Sequence, residues 1–164
     1  MASRDRASHR FPVIASIVVA LMLAIAPLPE WLAPFRPDWV TMTLIYWALN
    51  LPRTYGVGVA WLAGLTLDVT QGTLLAQHAL AMSLVVYLTA KFHLQLRVFP
   101  LSQLAATVVA LIATYRFVLF WINGIADINA PAVVYWGPVI TGSLLWPVCA
   151  MLLGSLPYRR HAGA

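Results

Sequence analysis

The chain has 164 residues, 62% of them hydrophobic and only 9% charged, where a soluble domain carries about a quarter charged residues. That leaves too little polar surface for a water-soluble globule, and a mean hydropathy of +0.83 points to a polytopic membrane protein folded as one compact bundle. The ten Lys and Arg give a net charge of +5, but they are scattered and sit beside apolar spans, which argues against a nucleic-acid partner.

Residues 1–10, MASRDRASHR, are polar and carry Arg4, Arg6 and Arg10. An apolar run follows from Phe11 to about Leu28. Its AIA at 24–26 has the small-residue look of a signal cleavage site. The run is long for a signal core and Pro27 follows directly, so an uncleaved first span at 11–28 is expected. PLPEWLAPFRPDW, residues 27–39, has prolines at 27, 29, 34 and 37. Proline denies a helix its donor and its ring room, so this connector should be stiff and non-helical. Its Trp31, Phe35 and Trp39 suit a membrane interface.

Further spans are expected at about 39–51, 56–70, 75–90, 101–122 and 135–156. The second is short, covering roughly 20 Å of a hydrocarbon core about 30 Å thick. The second and third together could instead form a tilted or re-entrant hairpin. LPRT at 51–54 reads as a turn, KFHLQLRVFP at 91–100 as a basic amphipathic link, and NGIADINAP at 123–131 as a polar turn. Pro147 should kink the last span. Cys149 stands alone, so no internal disulfide forms, and it reads as a buried, inert thiol.

Six spans with both termini cytoplasmic place Arg4, Arg6, Arg10, Arg53, Lys91, Arg97, Arg159 and Arg160 inside and Arg36 alone outside, with Arg116 within span five. This asymmetry is the positive-inside pattern, and it argues against the re-entrant alternative. The fold class expected is an all-α integral membrane protein, a six-transmembrane-helix bundle.

Span three raises a chemical question. Gly56, Ala60, Gly64, Asp68 and Gly72 recur every fourth residue, forming one strip along a helix. Small residues let backbones approach closely in a membrane, so the strip reads as a packing surface. A carboxylate on it would face protein rather than lipid, where it costs about 2.5–3.5 kcal/mol on insertion scales. Asp68 then serves internal packing, a partner, or proton or substrate chemistry. Arg116 and His78 are the candidate partners, and the three form an expected intramembrane polar network. Arg116 also has the plainer reading of snorkelling to the interface beside Tyr115 and Trp121. Protonated Asp68 bonded to a backbone carbonyl is the remaining option.

Chemistry elsewhere is sparse. His78 has no second ligand at helical spacing, so no metal or other cofactor is expected. His93 reads as a headgroup contact. The tryptophans at 31, 39, 47, 61, 121, 136 and 146 read mostly as belt or packing residues. There is no GxSxG, no HExxH and no phosphate-binding glycine loop, so catalysis is not expected.

The ordered series RPDW (36–39), YW (46–47), Pro52, GVGVAW (56–61), GLTLDV (64–69), GTLL (72–75) and QHAL (77–80), with LRVFP at 96–100, resembles the rod shape-determining MreD family of Gram-negative bacteria. Some members have glycine where this chain has Ala76. The resemblance implies a non-enzymatic subunit of the elongasome in the bacterial inner membrane, supporting lateral peptidoglycan synthesis. It implies MreC as a direct partner, with MreB, RodA and a class B penicillin-binding transpeptidase in the same assembly. It also implies a remote similarity of fold to the substrate-capture subunits of energy-coupling-factor transporters, and a small-molecule-binding transporter subunit is the alternative function. The surface expected to receive MreC combines spans two and three with the connector: Trp31, Arg36, Pro37, Asp38 and Trp39, together with the strip Gly56, Ala60, Gly64, Asp68 and Gly72.

Overall fold

A computed structural model describes residues 2–128 and 130–156, with side chains from residue 11 onward. The side chains of Arg4, Arg6, Arg10, Arg159 and Arg160, which carry much of the charge asymmetry, lie outside that description. The described residues form six α-helices and no strand: α1 (Ala2–Ile25), α2 (Trp39–Asn50), α3 (Val57–Gln71), α4 (Gln77–Val98), α5 (Leu101–Ile125) and α6 (Ala132–Gly154). The connector contains one short 3-10 turn, Ala33–Phe35, where a wholly non-helical segment was expected.

The boundaries have local causes. α1 stops at Ile25, before Pro27 and Pro29 remove further donors. α3 starts after Gly56 in an extended conformation and ends at Gly72, whose φ of +65° is the left-handed geometry glycine adopts cheaply. The Gly72 and Thr73 N–H groups both bond back to the Asp68 carbonyl. α4 begins later than expected and runs on to Val98, absorbing the segment read as a link, because nothing interrupts it before Pro100. α6 continues through both Pro138 and Pro147.

At 22, 25 and 23 residues, α4, α5 and α6 are long and apolar enough to cross a membrane. At 1.5 Å per residue they reach about 33–38 Å, more than the hydrocarbon thickness. α2 and α3, with 12 and 15 residues, reach only about 18 and 22 Å.

The short α2 is the centre of the bundle. Every residue from Val40 to Leu49 is buried. α1, α4, α5 and α6 all pack against it. Trp47, fully buried, donates from Nε1 to Ser16 Oγ on α1 at 2.9 Å. α3 lies outside this ring, packed mainly on α4. The tryptophans divide: Trp47 and Trp146 are core, while Trp31 and Trp121 are exposed. Cys149 is buried.

Other groups must satisfy the last C=O groups of a helix, which have no partner within it. Side chains from distant elements do so here. Arg97 at the end of α4 donates from Nε to the Leu49 carbonyl at 2.9 Å and from Nη2 to the Asn50 carbonyl at 2.6 Å, closing the C-terminus of α2. Arg36 donates to the Ala24 and Ala26 carbonyls at the end of α1.

Candidate functional site at the polar junction beneath the connector

The strip on α3 resolves into parts. Ala60, Gly64 and Asp68 face the bundle and are buried. A Cβ added at Gly64 would stand 2.3 Å from Ala79 Cα and 2.4 Å from Ala79 N, so α3 and α4 touch backbone to backbone there. Gly56 and Gly72 lie at the helix ends rather than in the contact: an added Cβ at Gly56 reaches only the Pro52 carbonyl at 3.4 Å, and at Gly72 nothing.

That close approach carries the Asp68 carboxylate to the N-terminus of α4. Oδ1 accepts from the His78 backbone N–H at 3.0 Å, from His78 Nδ1 at 2.8 Å and from Thr73 Oγ1 at 3.0 Å. Oδ2 faces the Ala79 N–H at 3.4 Å. The residue in the N-cap position of α4 is Ala76, which has no side-chain acceptor to offer. Asp68 therefore caps α4 from a different helix, and its negative charge meets the positive end of the helix dipole. With two backbone donors and Thr73 aimed at the carboxylate, its role is that of acceptor, and His78 donates from Nδ1.

Arg116 is not part of that cluster. It forms a two-pronged ion pair with Asp38, Nε to Oδ2 at 2.7 Å and Nη2 to Oδ1. Its Nη1 lies 3.5 Å from the Val134 carbonyl. Pro138, four residues on in α6, has no N–H to occupy that carbonyl, so the guanidinium serves a group the proline orphans. The expected network thus splits in two: Asp68 with His78, and Arg116 with Asp38. The connector closes over both, with the Pro34 carbonyl 2.5 Å from where a Cβ of Gly137 would be, a contact that requires glycine. Below it a cavity of about 180 Å³ is lined by Asp38, Thr41, His78, Tyr115 and Arg116 among others. Small-molecule sites occupy about 300–1,000 Å³.

A family model described as rod shape-determining protein MreD matches residues 5–155. The chain belongs to the MreD family. It is 30% identical over 146 residues to the rod shape-determining protein MreD of Haemophilus influenzae, covering 87% of this chain and 88% of that one. No solved structure matches.

Within this MreD-family bundle the connector residues expected at a partner surface fall into two groups. Trp31 is three-quarters exposed. Arg36, Pro37, Asp38 and Trp39 are half-buried and line the cavity, with Arg36 and Asp38 already paired to the protein. Within this chain Val40–Leu49 of span two is buried on all sides, and the buried part of the strip packs on α4. The cap on α2 by Arg97 and the Asp38–Arg116 pair were not foreseen. The pair spans 78 positions of sequence, beyond any helical spacing rule. The RPDW token offered a signal, since an acid directly before a helix start commonly caps or pairs there.

Proposed function

We propose that the chain is a non-catalytic scaffold subunit of the elongasome. It sits in the bacterial inner membrane as a multi-pass protein with both termini cytoplasmic. It supports lateral peptidoglycan synthesis by binding MreC, within an assembly containing MreB, RodA and a class B penicillin-binding transpeptidase. One observation carries this reading: Asp68, Asp38, Arg116, Arg36 and Arg97 are each engaged in closing a helix end or an ion pair. Such charges build a rigid body rather than a reaction centre.

The surface for MreC is accordingly placed on what the fold leaves outside. On the connector this means Trp31 and Phe35. The small cavity and its paired charges weigh against the small-molecule-binding alternative. Depletion separates the two: rounding of rod cells supports the scaffold, whereas a growth defect rescued by a vitamin supports transport. Co-purification of MreC with Trp31→Ala/Phe35→Ala tests the surface. Undiminished recovery from a normally expressed variant rules this patch out.

A further inference from the structure

We infer that the cleft between α1 and α3 is a site for one acyl chain of an anionic phospholipid, with the phosphate beside Arg53. α1 packs on α2, and α3 packs on α4. Where they diverge they leave an apolar cleft of about 410 Å³. Ile17, Val18 and Leu21 form one wall, and Val59, Leu62 and Ala63 the other.

The walls offer water no ring of partners along their length, so the cleft does not hydrate. Left empty, its lining would forfeit its dispersion contacts. The medium beside it is hydrocarbon, and its dimensions decide which kind fits. The lining runs from Ile14 to Leu21 on α1 and from Val59 to Thr66 on α3. Seven residue steps on each helix amount to about 10 Å. That lies within the roughly 15 Å depth of one leaflet and falls far short of the 30 Å or so that a partner helix must cross. Thr54 and Tyr55 of the α2–α3 turn line one end of the cleft. Arg53 is exposed and directly precedes Thr54, which lines that end, so the turn carries a guanidinium and a hydroxyl, the chemistry that holds a phosphate. The inference does not depend on the proposed partner.

The test is native mass spectrometry of the full chain in detergent, titrated with phosphatidylglycerol or phosphatidylcholine. We expect one retained phosphatidylglycerol per chain, favoured by about tenfold, or about 1.4 kcal/mol, over phosphatidylcholine, whose phosphate is the same but whose choline cation repels Arg53. Ala63→Phe, which fills the floor of the cleft, should lower retention at least about tenfold by the same arithmetic. Val18→Phe on the opposite wall should reproduce the loss if Ala63→Phe folds poorly. Arg53→Gln should remove the headgroup preference and leave chain binding. Unchanged retention in both filled variants, or equal retention of the two lipids by the wild type, overturns the site. So does a single-span protein that Ala63→Phe expels without altering lipid retention.

Discussion

Replacing Gly64 by alanine adds one methyl group where α3 meets the backbone of α4. The new Cβ would lie 2.3 Å from Ala79 Cα, 2.4 Å from Ala79 N and 2.7 Å from His78 C. These are backbone atoms, with no rotamer to yield. Ordinary contact begins near 3.4 Å, so α3 must retreat by 3.4 − 2.3, or 1.1 Å. The same movement stretches the 3.0 Å bond from the His78 N–H to Asp68 beyond hydrogen-bonding range. Overpacking of this kind costs about 1–3 kcal/mol. Leaving a buried donor unmet costs a further 1–3 kcal/mol or so. We expect a loss of about 2–6 kcal/mol, a large share of the roughly 5–15 kcal/mol that holds an ordinary domain together. Unfolding of purified protein in mixed detergent–SDS micelles measures it. Gly58→Ala is the matched control, because its added Cβ meets nothing within 4 Å. It should match wild type or gain up to about 1 kcal/mol, since alanine loses less backbone freedom than glycine in a helix. If the two variants unfold together, the backbone contact is not what fixes Asp68 in place.

Three further outcomes are expected. Ala76 holds a φ of +72°, so Ala76→Gly should raise stability by about 0.5–1 kcal/mol in the same assay; a loss would mean that the methyl packs. Asp38→Ala strands a largely buried guanidinium and should cost about 3 kcal/mol, whereas adding Arg116→Met should recover most of it; simple additivity in the double-mutant cycle would show that the two residues are not coupled. Arg97→Gln removes the donors from the Leu49 and Asn50 carbonyls and should cost about 1 kcal/mol, given its partial exposure; hydrogen exchange should then rise first at the end of α2, and uniform exchange would contradict the cap.

The sequence made the helices legible where apolar length decides them, as in α5 and α6. It misplaced the ends of α4 because Lys91, His93 and Arg97 look like a surface link, yet polarity alone does not end a helix that meets no proline. The four-residue beat was visible, but periodicity does not separate a glycine needed for contact, Gly64, from one needed for left-handed geometry, Gly72. Ala76 holds a left-handed φ that glycine adopts more cheaply, a backbone requirement that the residue itself does not reveal. His78 was within view as a partner for Asp68 because the turn between α3 and α4 is short. Asp38 was not paired with Arg116, since which helices become neighbours is a property of the whole packing.

The brevity of α2 bears on how the chain is made. A segment spanning about 18 Å gains too little from lipid to settle alone. Arg116 and Arg97, which complete the surroundings of its two ends, are synthesised after it. We therefore expect α2 to seat fully only once α4 and α5 have been made. A product truncated before Arg97 should be cleared by membrane proteases as an unfinished bundle.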